Sequence, residues 1–199
     1  MVASGFRVAK LAVVALSIAA CSKKENNAGT DTTAAAGAMT DTSAMAASTS
    51  SAWSDENIVA LLDEANAADS TAGSIAATKG TNSAVRDFGK RMMRDHHQLR
   101  AQGQALAKKL KITPAAPADD PLAADVQKYT ETLNTTAKGK DFDKAYIDGE
   151  VDVHKKVLDL ATKAASQTQN TELKNLIQKA APMIQAHLDL AESIQKKLQ

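Results

Sequence analysis

Cysteine occurs once in the 199 residues, at Cys21. A single thiol excludes an intrachain disulfide framework and any zinc site that needs two thiolates. Aromatic residues are also scarce, with one Trp, two Tyr and three Phe. Six are few for a β-sandwich core or for a platform that stacks nucleic-acid bases. Charge of one sign is missing too. The 24 Lys and Arg nearly cancel the 23 Asp and Glu, so no excess of basic groups is available to displace counterions from phosphates, and nucleic acid is not an expected partner. The apolar run from Leu11 to Ile18 falls short of the roughly 20 residues that span a bilayer. What the chain has in abundance is Ala, Leu, Lys and Gln, which favour helix.

The N-terminus places Arg7 and Lys10 before that short apolar run and the small residues Ala19-Ala20 after it, ahead of Cys21. A basic start, a short apolar core and small residues before a cleavage point form a secretory signal. Ile18-Ala19-Ala20-Cys21 further resembles the bacterial lipobox. That resemblance implies a signal peptide over residues 1–20, cleavage before Cys21 and a lipid on its sulfur. More than one acyl chain is needed for stable anchoring. Ser22 rather than Asp after the Cys implies, by the same likeness, the outer membrane, with the domain facing the periplasm. Losing Arg7 and Lys10 and no acid leaves 22 basic and 23 acidic residues. The membrane, through the lipid anchor, is the one partner expected. Residues 21–52 are rich in Ala, Thr, Ser, Asn and Gly and lack a period. They read as a flexible tether, because so little apolar surface cannot offset the entropy of ordering.

Residues 53–199 carry helical periodicity throughout. Ser54 followed by Asp55 and Glu56 is an N-cap with acids in the first turn, and Gly80 ends the first run. Val85, Phe88, Met92, Leu99, Leu106 and Leu110 hold one face of a second helix opened by Asn82 or Ser83. Pro114, Pro117 and Pro121 force a loop. A shorter helix with Leu122, Val126, Tyr129 and Leu133 ends near Gly139. Asp141 is the expected cap of the next, with Phe142, Tyr146, Val153, Val157 and Leu160 as its stripe, and residues 166–170 turn the chain into a last helix from Thr171. Pro182 inside that helix is expected to kink it and to weaken bonding at the Gln178 carbonyl. Four long helices, one short one and no strand signal predict an all-α fold, an antiparallel four-helix bundle.

Helical arithmetic turns a set of polar residues inward. His96 lies four after Met92 and three before Leu99. His187 lies three after Ile184 and four before Ala191. Asp69 falls between Ala65 and Ala72, Glu150 between Tyr146 and Val153, and His154 one step of four beyond Glu150. Counting back from the two hairpin turns puts them at comparable heights, consistent with one interior cluster. Imidazoles and carboxylates on facing helices are how bundles build metal sites. Asp69, His96, Glu150, His154 and His187 are therefore the candidate ligands, for copper, zinc, iron or manganese. The competing reading is a hydrogen-bonded polar layer that only specifies the bundle. His97 is expected to face solvent or the bundle edge. Di-iron chemistry of the Glu-x-x-His kind is not expected, because Met93, Arg94, Val151 and Ile184 stand three before the four histidines. No Ser or Thr stands out beside a base, so no catalytic residue is singled out.

At these residues the sequence resembles a bacterial exported family known as domain of unknown function 4142, whose members have a ferritin-like helical bundle. The resemblance is carried by Ala84 to His96, by Phe142 to Ile147 with His154, and by Leu173 through Pro182 to His187-Leu188. It implies that the family's Asp-His, His and Pro…His-Leu positions fall on Asp95-His96, His154, Pro182 and His187. Its first-helix acid falls on Asp69, where Glu is more usual. The resemblance supports the bundle and export and implies no reaction. The expected function is that of a non-enzymatic envelope lipoprotein, with the question of a transition metal at the interior cluster left open. The alternative is a structural or stress-related envelope protein with a buried polar layer.

Overall fold

A computed structural model describes residues 52–199. The expected signal peptide, the expected lipidation site at Cys21 and the expected tether up to residue 51 lie outside the described residues. Five helices and no strand are present among those described: α1 (Asp55–Lys79), α2 (Ser83–Leu110), α3 (Ala123–Thr135), α4 (Lys140–Gln167) and α5 (Thr171–Leu198). None of them is long and apolar enough to cross a membrane.

The ends of the helices are set by local chemistry. Ser54 opens α1 through a capping box, its Oγ accepting from Asn57 N–H while Asn57 Oδ1 accepts from Ser54 N–H. Asn82 and Asn170 cap α2 and α5 with their side-chain carbonyls. The start of α4 differs from expectation. Its N-cap is Gly139, at φ 156°, and Asp141 sits inside the first turn. The acid that caps nearby is Asp143, and it serves another helix: its carboxylate accepts from Thr81 N–H, Asn82 N–H and the Thr81 hydroxyl at the start of α2. α5 runs on through Pro182 without interruption.

That crossing contact also fixes topology. The turn between α1 and α2 sits at the start of α4, whereas Trp53 N–H and Thr168 Oγ1, donating to Gln167 Oε1 and Asp55 Oδ1, join the start of α1 to the end of α4. Lys109 pairs with Glu172, joining the end of α2 to the start of α5. Every neighbouring pair is thus antiparallel, in the ring order α1, α2, α5, α4. The end of α2 and the start of α4 lie at opposite ends of the bundle. Residues 111–139 therefore form one long crossover, and α3 within it packs over α1 and α4.

The apolar core falls into two parts. One gathers Trp53, Ile58, Leu61, Val157, Leu160, Leu173 and Ile177. The other gathers Val85, Phe88, Met92, Phe142, Tyr146, Ile147 and Ile194. On each long helix the inward polar residues fall between the two parts. Asp69, His96, Glu150, His154 and His187 lie 10, 13, 10, 14 and 11 residues from the helix ends Lys79, Ser83, Lys140, Lys140 and Leu198. Thr81, Lys140 and Leu198 line one pocket at that end of the bundle, so at about 1.5 Å per residue the five share one level.

Candidate metal centre

The inward polar residues are fully enclosed. Asp69 and His96 are 1% exposed, and Glu150, His154 and His187 are at 0%. The three imidazole rings stand in a triangle, with centroids 5.2 Å apart for His96 and His187 and 5.6 Å for each of the other two pairs. One ring nitrogen from each lies within 4.8 Å of one from each of the others. An ion held at about 2.0–2.1 Å from each nitrogen needs tetrahedral separations of about 3.4 Å, so modest inward movement of the rings completes the site. His97, the fourth histidine, is exposed, as its helical position requires.

What each ring does with its other nitrogen decides its chemistry. His96 Nδ1 donates to Asn66 Oδ1 at 3.0 Å. His154 Nδ1 donates to the Glu150 backbone carbonyl at 2.9 Å, one turn earlier. His187 Nε2 donates to Asp95 Oδ2 at 3.1 Å. Each acceptor fixes one tautomer, so the lone pair sits on the remaining nitrogen. Those nitrogens, His96 Nε2, His154 Nε2 and His187 Nδ1, have no hydrogen-bond partner.

The carboxylates form a second group around His154. One oxygen of Asp69, one of Glu150 and one His154 nitrogen lie within 4.8 Å of one another. Glu150 Oε1 accepts from the Tyr129 hydroxyl at 3.1 Å, and that hydroxyl also reaches the Tyr146 carbonyl at 2.8 Å. Glu150 Oε2 and both Asp69 oxygens make no hydrogen bond, although Asp69 Oδ2 stands 3.5 Å from His96 Nδ1. The five candidates thus come together as two three-residue sets that share His154.

Burial sets the protonation states. It pushes His96 below the ordinary histidine range against the opposing pull of Asp69. Burial also depresses His187, to about 4, despite its hydrogen bond to Asp95. Both rings are neutral at pH 7 and ready to ligate. Burial raises Glu150 well above the ordinary carboxyl range, and the nearby Asp69 charge pushes the same way. Asp95 goes the other way. Its burial is outweighed by the His187 hydrogen bond and by Arg94 and Arg91, whose Nε atoms lie 3.0 and 3.3 Å from its oxygens.

Asn66 and Tyr129 were not among the sequence candidates. Asn66 precedes Asp69 by three on the same face of α1, a spacing that carries its signal. Tyr129 reads as one member of an apolar stripe, and nothing in its spacing distinguishes it.

A buried centre with three unpartnered imidazole nitrogens and three unpartnered carboxylate oxygens can hold a metal ion. Two solved structures share the fold. One is described as CopM in the Cu(I)-bound form, with 14% identity, a TM-score of 0.59, and coverage of 73% of this chain and 97% of that one. The other is CopM in the Cu(II)-bound form, with 12% identity, a TM-score of 0.61, and coverage of 75% of this chain and 100% of that one. No curated protein matches the sequence. The profile of the family described as Domain of unknown function (DUF4142) matches residues 38–194, and the chain belongs to that family.

Proposed function

We propose that this protein is a transition-metal-binding module of the bacterial cell envelope, and that His96, His154 and His187 hold a copper ion. The observation that carries the reading is the set of second-nitrogen hydrogen bonds. Asn66, the Glu150 carbonyl and Asp95 each tie down one imidazole N–H and leave an unpartnered lone pair in the interior. A layer that served only to set helix register would pair its own groups, since an unsatisfied buried polar atom costs about 1–3 kcal/mol. Six such atoms gather here: Asp69 Oδ1 and Oδ2, His96 Nε2, Glu150 Oε2, His154 Nε2 and His187 Nδ1. Imidazole suits copper, zinc, iron and nickel, and Cu(II) stands highest among divalent ions for such a site. Asp69, and Glu150 once a bound ion displaces its proton, supply charge to balance a divalent ion. The copper-bound CopM structures share the fold and support the choice.

Cys21 anchors the module to the membrane in this reading, with residues 22–51 as the tether and the outer membrane, facing the periplasm, as its place. The test is metal analysis and thermal unfolding of the purified protein with Cu(II), Cu(I), Zn(II), Mn(II) and Fe(II) in turn. One equivalent of copper and a raised midpoint are expected, both lost in His96→Ala and His187→Ala. Indifference to all five ions returns the cluster to a structural layer.

A further inference from the structure

Two aspartates flank the three-histidine centre, and their charges are met differently. Asp95 accepts from His187 Nε2, and Arg94 and Arg91 hold its oxygens at 3.0 and 3.3 Å. Asp69 is 1% exposed, and neither of its oxygens has a hydrogen-bond partner. No Lys or Arg among the described residues pairs with it, and His96 Nδ1 stands 3.5 Å from its Oδ2. We propose that Asp69 selects the oxidation state of the bound copper, its uncompensated charge favouring Cu(II) over Cu(I). The inference rests on the metal-binding reading above and adds which form of the ion is held and which residue decides it.

The polar groups around Asp69 are engaged elsewhere. Asn66, one turn earlier on α1, turns its Nδ2 to the Leu62 carbonyl at 2.6 Å while its Oδ1 accepts from His96. The Tyr129 hydroxyl goes to the Tyr146 carbonyl and to Glu150 Oε1. Neighbouring groups register the charge that is left. Burial raises Glu150 above the ordinary carboxyl range, and Asp69 is the next cause. Burial, and then Glu150, raise Tyr129 and Tyr146 above the ordinary phenol range, and Asp69 adds to both shifts.

Three neutral imidazoles carry no net charge and add no Coulombic preference between the two ions. A fixed negative charge does, because it attracts the doubly charged ion by one further unit of interaction. An ion about 2 Å beyond His96 Nε2 lies one ring width and the 3.5 Å gap from Asp69 Oδ2, at most about 8 Å in all. At an effective dielectric of about 20, one unit charge at about 8 Å biases the choice by about thirtyfold. For a one-electron couple, that factor lowers the reduction potential by about 90 mV. Reduction here adds one electron to the metal and breaks no bond, so the two affinities and the potential report the same quantity.

Enclosure preserves the effect. Asp69, His96, Glu150, His154 and His187 are all buried, and buried charges are screened by salt much less than exposed ones. The preference should therefore be the same in low and in high salt.

The experiment measures the affinity of the full chain for Cu(II), and for Cu(I) without oxygen in the presence of ascorbate, each by competition with a chelator selective for that ion. The readout is the ratio of the two dissociation constants. Asp69→Asn keeps the shape and removes the charge. It should weaken both forms and weaken Cu(II) by about thirtyfold more. The same substitution in a Glu150→Gln background, where Glu150 is unable to ionise in its place, should shift the ratio by the same factor. Asp69→Glu keeps the charge and should hold the ratio within about threefold of the parent. Asp69→Ser is the second neutral variant if Asp69→Asn does not fold. Equal loss of both affinities in the neutral variants, with the ratio within threefold of its starting value, makes Asp69 a structural residue and overturns the proposal. A ratio in Asp69→Glu that moves as far as in Asp69→Asn assigns the effect to shape and overturns it too, as does a preference that fades in high salt. Absence of copper binding by the unsubstituted protein is a separate result, and it overturns the metal-binding reading itself.

Discussion

His187 on α5 and Asp95 on α2 meet through one hydrogen bond, Nε2 to Oδ2 at 3.1 Å, and that bond leaves Nδ1 as the nitrogen free to ligate. Asp95 is in turn held by Arg91 and Arg94, so its carboxylate has little freedom to turn away. Outer partners of this kind orient the ligand and raise its basicity, and their loss typically costs about 10–100-fold in metal affinity. Asp95→Ala should therefore weaken copper binding by about that factor. Asp95→Asn, whose amide oxygen still accepts from Nε2–H, should lose less. Competition with a chromophoric chelator measures both. Equal affinities in the parent and Asp95→Ala would show that the bond does not set the ligating nitrogen.

The metal-free protein should lose stability as pH falls from about 6.5 towards 4. His96 and His187 have lowered pKa values in the fold, the latter about 4, because burial disfavours the charged ring. In that window the unfolded chain takes up protons that the folded one refuses, so unfolding gains. The contribution of the neutral rings is complete above the unfolded value near 6.5 and is lost on the way down. Glu150 acts with the opposite sign. Its raised pKa makes the fold lose stability as pH rises from about 4.5 through the folded value. Glu150→Gln removes that opposing slope and should steepen the rise in midpoint from pH 5 to pH 7. Calorimetric midpoints across pH 4–8 check both signs.

Periodicity alone was enough for the bundle and for the inward set, because a polar residue three or four positions from Met92, Ile184, Ala65 or Tyr146 cannot leave the face those residues occupy. The level of the five was also legible, since hairpin turns fix height by counting. Three features were not. Asp141 looked like the cap of α4 because it opens an apolar run, but Gly139 starts the helix two residues earlier, and the acid that caps a neighbour is Asp143. The division of the ligands into two sets around His154 depends on rotations between helices that no single-helix pattern contains. Tyr129 reaches Glu150 only because the crossover lays α3 over α4, a contact 21 residues apart in sequence.

Cys21→Ser should move the protein out of the membrane fraction. A lipid anchor at that residue is the only membrane attachment in the proposed reading, and no described helix is able to span a bilayer. Because stable anchoring takes more than one acyl chain, loss of the modified thiol should release the protein or leave an unprocessed precursor. Fractionation with immunoblotting, alongside mass analysis of the N-terminus, distinguishes these. Unchanged processing and fractionation of the variant would remove the lipoprotein reading and leave the metal centre as it stands.

The last prediction concerns the seat of Tyr129. A Cβ added to Gly149 would lie 2.1 Å from Tyr129 Cε2 and 2.7 Å from both Cδ2 and Cζ, so the ring rests directly on the α4 backbone. That close approach lets the hydroxyl reach the Tyr146 carbonyl and Glu150 Oε1. Gly149→Ala must push the ring, and with it α3, away from α4. Overpacking of this kind costs about 1–3 kcal/mol, and the lost hydrogen bond leaves Glu150 with neither oxygen satisfied. Gly103→Ala is the matched control. Gly103 lies inside α2 with nothing within 4 Å of an added Cβ, so the same substitution there should stabilise by about 0.5–1 kcal/mol through helix propensity. Urea unfolding of the two variants should therefore move in opposite directions. Removing the ring in Gly149→Ala/Tyr129→Ala should recover part of the loss relative to the sum of the single variants, since the clash is then gone. If Gly149→Ala were as stable as Gly103→Ala, α3 would not be held against α4 by this contact, and the roof over the carboxylate pair would have to rest on Leu122, Val126 and Leu133 alone.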